Sequence, residues 1–470
     1  MLYRIFRAMA RLALHLFFRQ IEVEGRENVP DQGPLLLVSN HTNALVDPLV
    51  LVITVSRRLT VTAKNVLAKN PLLGLLMSCL GVVTFHRRED AGKGADPRQN
   101  IQSLQQCRQI LASGGALCIF PEGVSHSDLK LRPFHLGPAR IALDFAREEG
   151  DPGGLRIVPI GLLYSQKDRF RSAVWLRYGT PMDVGQWLAE HPGATAADFT
   201  KEITGRVQAL ILHYENRRES LILSCAAEIV ATRGRMPPPL GRDERSVAEW
   251  FQLLSGLQSG YRTLLANFPD DVNALSTRMR QYRAELKKRG LTAAEIFLPV
   301  HPGRALLFLI RELELLLVGA PVALFGAVNH FLPYQIVKWI ARALSTDKDH
   351  WASNIVYPSF LVFPIFYLLQ LGAAWFFLPS FWAFLYTVAL PYTGYYALIY
   401  GERAGRAFRR TRTFLYLLRD REGQTRLAAE GRAILEQIQA LGSRLPVVAS
   451  PDELDQSSGA PPNFVENPAS

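Results

Sequence analysis

Short apolar, β-rich runs alternate with longer helical stretches from about residue 20 to 215; the segments 34–39, 59–63, 82–85, 116–120 and 157–163 each fit a strand. Strands that alternate with helices predict an α/β domain over 21–215. Gly150-Asp151-Pro152-Gly153-Gly154 and Gly179-Thr180-Pro181 punctuate it as turns. Ahead of it, Arg4, Arg7, Arg11, His15 and Arg19 recur every three or four residues. A helix over 1–20 therefore carries a cationic stripe opposite Leu2, Ile5, Phe6, Leu12, Leu16 and Phe17. This pattern predicts an amphipathic helix lying in a membrane interface with its arginines toward anionic headgroups. The same charges interrupt every apolar stretch and no small-residue cleavage site follows, which argues against a secretory signal.

Beyond 216 the pattern turns helical and charge-rich, with Arg278, Arg280, Arg283, Lys287, Lys288 and Arg289 close together, and 216–303 reads as a helical module without chemistry of its own. The region 304–412 reads as membrane-embedded. Its segment 355–400 has no charged residue across 46 positions, and one span needs about 20 apolar residues. Leu378-Pro379-Ser380 supplies a turn, so a transmembrane helical hairpin is expected. Lys338 and Arg342 before it, and Arg403, Arg406, Arg409, Arg410 and Arg412 after it, place both outer ends on the cytoplasmic side. The shorter run 315–332 contains Pro321, Asn329 and His330 and has basic flanks on both sides. It predicts a re-entrant or in-plane element over 313–333, with a tilted span as the alternative. An amphipathic helix is expected over 413–445. The Pro, Ser, Asp, Glu and Gly content of 446–470 predicts a disordered tail.

Charge narrows the choice of partner. Among 470 residues, 53 Lys and Arg stand against 42 Asp and Glu, a formal net charge of +11. Such an excess points to nucleic acid or an anionic membrane surface, and the apolar runs favour the membrane. Cys79, Cys107, Cys118 and Cys225 form no CxxC and no close pair. They read as buried thiols of a reducing compartment, neither a disulfide framework nor a zinc site.

The candidate chemistry lies at strand ends. The strand over 34–39 runs into Asn40-His41-Thr42-Asn43-Ala44-Leu45-Val46-Asp47-Pro48, so His41 should emerge at the rim of the sheet. Asp47 followed by Pro48 predicts a helix capped by Asp47 with Pro48 as its first residue. The intervening loop then lets the Asp47 carboxylate turn back to the imidazole, where it would fix the tautomer and stabilise an imidazolium, as a general base requires. The strand over 116–120 runs into Pro121-Glu122-Gly123-Val124-Ser125-His126-Ser127, a turn with amide and hydroxyl donors suited to a phosphate or an oxyanion. Between the two lie Arg87 and Arg88, whose planar forks suit phosphate, and Lys130 and Arg132 extend the basic wall.

Four motifs occur in order: Asn40-His41 with Asp47, Gly81-Val82-Val83-Thr84-Phe85-His86-Arg87-Arg88, Phe120-Pro121-Glu122-Gly123, and Ile157-Val158-Pro159-Ile160-Gly161. In this combination residues 30–165 resemble the membrane-associated glycerolipid acyltransferases, which acylate glycerol 3-phosphate or lysophosphatidate. The resemblance implies a mixed sheet flanked by helices, followed here by the helical module and C-terminal transmembrane helices. It implies that His41 deprotonates the acceptor hydroxyl, which attacks an acyl thioester, and that Asp47 supports the base. Arg87 or Arg88, Glu122, Gly123 and Ser125 would position the phosphorylated acceptor.

Two departures refine this expectation. The family pattern has four residues between His and Asp, whereas five separate His41 from Asp47. That form is similar to a fungal type of glycerol-3-phosphate acyltransferase and its bacterial relatives, which the C-terminal hairpin also fits. The family commonly places an arginine where this chain has Ser125-His126-Ser127, so the phosphate contact shifts to Arg87, Arg88, Lys130 or Arg132. The expected protein is thus an integral membrane O-acyltransferase of phospholipid biosynthesis with its site on the cytoplasmic face. It would use acyl-CoA or acyl carrier protein as co-substrate with no metal or cofactor, and engage membrane lipids and no nucleic acid. Glycerol 3-phosphate is the expected acceptor and lysophosphatidate the alternative; a non-catalytic lipid-binding protein or a thioesterase-like hydrolase on the same fold are the rivals.

Overall fold

The computed structural model describes residues 2–65, 67, 74, 77, 81–86, 100–126, 128–148, 154–167, 169–231, 247–297, 302–344 and 351–445. In chain order, α1 (Leu2–Phe17) runs directly into β1 (Phe18–Glu24), followed by β2 (Leu35–Ser39), α2 (Val46–Thr54), β3 (Leu59–Lys64), β4 (Val83–Phe85), α3 (Asn100–Ala112) and β5 (Ala116–Ile119). Then come α4 (Gly137–Glu148), β6 (Arg156–Tyr164), β7 (Ser172–Tyr178), β8 (Met182–Asp183), α5 (Val184–Glu190) and α6 (Ala196–Ala209). The remaining helices are α7 (Arg217–Val230), α8 (Val247–Asn267), α9 (Pro269–Arg289), α10 (Ala293–Ile296), α11 (Pro302–Leu344), α12 (Trp351–Phe377), α13 (Ser380–Arg419) and α14 (Arg421–Gly442). The chain divides into two compact units, one of residues 1–220, 240–252 and 301–414, the other of 221–239, 253–300 and 415–470.

The first unit is built on a mixed sheet of order β1-β7-β6-β2-β5-β3-β4, with β8 paired to β6. All pairings are parallel except those of β6 with β7 and β8. β2 lies between β5 and β6, where Leu37 faces Cys118 on one side and Val158 on the other. Because β2 and β5 are parallel neighbours, their carboxyl ends open at the same edge, where ligands of open α/β sheets bind. Alternation sorts the β2 side chains: Leu35 and Leu37 join a core with α1 and α2, whereas Leu36 and Val38 join one with α3, α4, α5 and α6. Both faces are covered, which is why β2 is a continuous apolar run. Gly161 of β6 has no room for a side chain, since a β-carbon there would lie 2.5 Å from the Leu210 carbonyl oxygen.

Three strands of this sheet, β1, β7 and the short β8, are absent from the sequence expectation, and β1 and β7 pair with each other. β1 follows α1 without a turn, so its alternating residues continue what reads as a helical stripe. The helix itself divides its apolar residues between two surroundings. Phe6, Ala10, Leu14 and Phe17 are buried, while Leu2, Ile5, Met9 and Leu12 stay exposed. Arg7 donates to the carbonyls of Val55 and Ser56, and Arg11 to that of Ile53 at 3.2 Å. These arginines meet the carbonyl end of α2, where cations are favoured, instead of pointing away from the protein. Cys107, Cys118 and Cys225 are buried free thiols, and burial pushes the Cys107 thiol up to about 12. Cys79 lies outside the described residues.

Among the described residues two helices are long and apolar enough to cross a membrane, Ile310–Leu344 of α11 and Trp351–Phe377, that is α12. Their large apolar side chains, Leu317, Val318, Leu324, Leu368, Leu369 and Phe376 among them, are exposed. A helix of a soluble core would bury them, so membrane association is suggested. The turn between α12 and α13 falls at 378–379, where the sequence predicts it, but α13 is the less apolar arm and continues to Arg419. The expected re-entrant element over 313–333 lies instead within α11, one helix of 43 residues. Pro333 removes the amide that would bond the Asn329 carbonyl. Gln370 Nε2 of α12 donates to that carbonyl at 2.7 Å, so the helix continues through the proline.

The second unit has its own apolar core, in which Cys225, Met279, Tyr282, Leu286, Ile296, Leu427 and Ile434 are buried together. Arg278 of α9 grips Glu430 of α14 through two hydrogen bonds, 2.6 and 3.0 Å long. Instead of one amphipathic helix over 413–445, the chain breaks at Asp420, whose side chain accepts the Gly423 amide and caps α14. The tail 446–470 lies outside the described residues.

Candidate active site

At the carboxyl end of β2, Asn40 replaces the sheet ladder with its side chain. Its amide donates to the Leu162 carbonyl at 3.0 Å and accepts the Leu162 N–H at 2.7 Å, which anchors the rim to β6. The next residue, His41, is half-buried, with its ring stacked on Phe120 at the end of β5 at a centroid distance of 4.3 Å. His41 Nδ1 lies 2.9 Å from Asp47 Oδ2. A carboxylate oxygen can only accept, so this contact puts the ring proton on Nδ1 and leaves the Nε2 lone pair available.

Asp47 is fully buried and fully partnered. Oδ2 also accepts the amides of Thr42 and Asn43, both at 2.8 Å, and Oδ1 accepts the Tyr164 hydroxyl at 2.6 Å. Burial, and after it the Asp47 charge, hold the Tyr164 hydroxyl well above the usual phenol range, so it stays protonated and donates. The sequence expectation of Asp47 as helix cap is corrected. α2 begins at Val46 with Leu45 as its cap, and Asp47 sits within the first turn. From there its carboxylate gathers the amides of the preceding loop. That loop turns sharply enough to hold Ala44 at a φ of 38°, in the left-handed region.

The second motif locks onto the first. Glu122, 3 % exposed, accepts the His41 backbone N–H at Oε1 (2.6 Å) and the Arg132 backbone N–H at Oε2 (3.1 Å), and it pairs with His126 Nε2. The other His126 nitrogen accepts the Asp128 amide at 3.1 Å. Gly123 makes the turn with a φ of 73°, and its N–H is committed to the Phe120 carbonyl. Ser125 Oγ accepts the Ala44 N–H at 2.9 Å. Lys167, which follows β6, donates to the carbonyls of Thr42 (2.7 Å) and His126 (2.9 Å) and staples the two loops together.

The structure therefore brings His41, Asp47, Glu122 and Ser125 into one hydrogen-bonded assembly, with Gly123 at its turn. Glu122 and Ser125 face inward to the loops. Lys130 and Arg132 are exposed on a neighbouring open cleft of about 620 Å³ with Leu129, Leu131 and Pro133, where they pair with Glu215 and Asp128 respectively. Arg87 and Arg88 lie outside the described residues. Asn40, Tyr164 and Lys167 carry no role in the sequence reading. Asn40 stands in the motif itself, but its partner is 122 residues away, and Tyr164 is 117 residues from Asp47. Only the β2–β6 pairing brings them in.

This assembly can hold an imidazole as a proton acceptor at the sheet rim, with a buried carboxylate behind it. Its integrity depends on Glu122. In Glu122→Gln one oxygen becomes an amide that cannot accept, which leaves a buried partner unpaired. Thermal or denaturant unfolding of the first unit should show a loss of about 1–3 kcal/mol. An unchanged midpoint would show that the Glu122 contacts do not hold the two loops.

Residues 20–163 match the family model described as Acyltransferase. A chloroplastic 1-acyl-sn-glycerol-3-phosphate acyltransferase of Arabidopsis thaliana is 28% identical over 159 residues, 34% of this chain and 40% of the relative. Glycerol-3-phosphate O-acyltransferase 1 of Saccharomyces cerevisiae is 24% identical over 273 residues, 40% of this chain and 36% of that one. In both cases the chain spans less than half of the relative's length. The crystal structure of a 1-acyl-sn-glycerophosphate acyltransferase from Thermotoga maritima overlays with a TM-score of 0.34 at 19% identity, covering 44% of this chain and 78% of that one. The segment that carries β2, β5 and both motifs thus matches the Acyltransferase family model, and it is similar to glycerol-3-phosphate and 1-acylglycerol-3-phosphate acyltransferases.

Proposed function

We propose that this protein transfers a fatty acyl group from acyl-CoA or acyl carrier protein to the hydroxyl of glycerol 3-phosphate, with His41 as general base. The observation that carries this reading is the Asp47 carboxylate, held by Tyr164 and two loop amides, at 2.9 Å from His41 Nδ1. His41 Nε2 takes the acceptor's hydroxyl proton as the oxygen attacks the thioester carbonyl, and Asp47 stabilises the imidazolium. The tetrahedral intermediate collapses by expelling the thiolate, which takes the proton back from His41. The thioester is already activated, and every proton is accounted for by one imidazole.

The names of the yeast and plant relatives support a phosphorylated glycerol acceptor, and the five-residue gap between His41 and Asp47 supports the fungal-type subgroup. Lys130 and Arg132, and Arg87 and Arg88 by sequence, are the proposed phosphate contacts. The exposed stripe Leu2, Ile5, Met9 and Leu12 of α1, together with α11 and α12, supports an enzyme working at a bilayer surface where its product partitions. The basic residues outside the apolar helices support a site on the cytoplasmic side.

Membrane preparations given radiolabelled acyl-CoA and a panel of glycerol 3-phosphate, dihydroxyacetone phosphate, lysophosphatidate and other lysophospholipids test this reading. Glycerol 3-phosphate should accept the label best. Greater labelling of lysophosphatidate would reassign the acceptor. Thiol release that does not depend on any acceptor would identify a hydrolase, and incorporation into none of them would remove the enzyme reading.

A further inference from the structure

α12 begins inside the α/β unit before its apolar side chains become exposed. Ala352 and Val356 are buried in the same core as Phe6, Val46 and Leu49, and Phe360 lies beside Phe6 with ring centroids 6.2 Å apart. From Leu361 onward the large apolar residues Leu361, Ile365, Leu368 and Leu369 are exposed. Within the buried part, Ser353 Oγ accepts the Leu45 backbone N–H at 3.1 Å. One turn further, the Tyr357 hydroxyl donates to the Leu45 carbonyl, also at 3.1 Å. Ser353 is 2 % exposed, so its hydroxyl serves this contact and not solvent.

Leu45 is a telling residue to hold. It stands between Ala44, whose φ of 38° is strained for a residue with a β-carbon, and Val46, the first residue of α2. Strained backbone persists only where its surroundings over-determine it. Ser125 fixes the Ala44 N–H from one side, and α12 fixes both polar groups of Leu45 from the other. Between them they keep the Thr42 and Asn43 amides on Asp47 Oδ2.

We infer that Ser353 and Tyr357 are positioning residues, which hold the His41–Asp47 loop through Leu45 and so tie the proposed base to an apolar helix that extends away from the sheet. The inference rests on the reading of His41 as base. Neither side chain is given a substrate contact. Slackening the loop therefore misaligns the proton transfer without removing binding groups, and the effect falls on kcat and not on KM.

Steady-state kinetics on the full chain in membranes test it with four variants: Ser353→Ala/Tyr357→Phe, Tyr357→Phe, Ser353→Thr and His41→Ala. The double variant should lose kcat by about 10-fold to 100-fold, as small misplacements of a base do, with KM for acyl-CoA and glycerol 3-phosphate within about twofold. Tyr357→Phe, which removes one oxygen atom and keeps the ring, should show a smaller loss of the same kind even if the double variant does not fold. Ser353→Thr keeps the acceptor oxygen and should retain kcat within about threefold. A double variant, or Tyr357→Phe in its place, with wild-type kcat beside an inactive His41→Ala overturns this inference alone. A raised KM at unchanged kcat also overturns it. Activity surviving in His41→Ala overturns the base reading, and the inference with it.

Discussion

His41→Ala should abolish acyl transfer, with kcat reduced by about 10²–10⁴-fold, the range a positioned general base contributes, while the protein remains folded and bound to membranes. The fold should survive because Asp47 keeps the Thr42 and Asn43 amides and the Tyr164 hydroxyl when the imidazole is gone. Membrane association is expected through the exposed apolar side chains of α11 and α12, which this substitution leaves unchanged. Radiolabelled transfer to glycerol 3-phosphate in isolated membranes, with the variant's abundance measured alongside, checks the result; activity within tenfold of wild type would remove His41 as the base. His126 makes the informative control because it belongs to the second motif and is also a histidine. Its two ring nitrogens are occupied by Glu122 and by the Asp128 amide, and the residue is buried. It has no lone pair to offer a substrate, so His126→Ala should lower stability by loosening Glu122, with a smaller loss of rate in the protein that remains folded.

The contrast between these histidines also marks what the sequence reveals and what it does not. β2 and β5 are legible because a fully buried parallel strand is a short apolar run, and the polar residues after each run announce the rim. Their adjacency is not legible, and it is adjacency that turns Glu122 inward to the His41 amide instead of outward to a ligand. The same holds for Tyr164 and Lys167, whose partners Asp47 and Thr42 lie more than a hundred residues away and meet them through the sheet. α1 shows a different kind of gap. Its periodicity correctly indicates a helix with apolar and basic positions, but periodicity cannot say that one apolar stripe enters a core while another stays exposed. In α11 a local rule fails, since Pro321, Asn329 and His330 read as interrupting the run that one helix in fact carries through. The Gln370 amide that satisfies the Asn329 carbonyl sits on another helix.

Asp47 provides the sharper test, because two substitutions there should separate its charge from its scaffolding. In Asp47→Asn the remaining carbonyl oxygen can occupy the Oδ2 position and still accept from His41 Nδ1 and from the Thr42 and Asn43 amides. The new amide then faces Tyr164, whose hydroxyl can rotate and accept, since a phenol is both donor and acceptor. The loop therefore keeps its hydrogen bonds, and the unfolding midpoint should stay close to wild type. What disappears is the negative charge that stabilises the imidazolium, so kcat should fall by about 10²–10⁴-fold, the span of a general-base contribution. Asp47→Ala removes the acceptor altogether and leaves the Tyr164 hydroxyl and two loop amides without it in a buried site. It should cost about 1–3 kcal/mol for each group left unpaired, in addition to the loss of rate. Paired measurements of kcat and thermal unfolding on both variants decide the matter. If Asp47→Asn kept full activity, the carboxylate would be a loop scaffold and no partner to the base. If Asp47→Asn and Asp47→Ala unfolded alike, the Tyr164 rotation that preserves the loop would be wrong. A silent catalytic loss with an intact fold in Asp47→Asn is the result that requires the charge itself, held 2.9 Å from the imidazole by groups drawn from β6 and from the loop it supports.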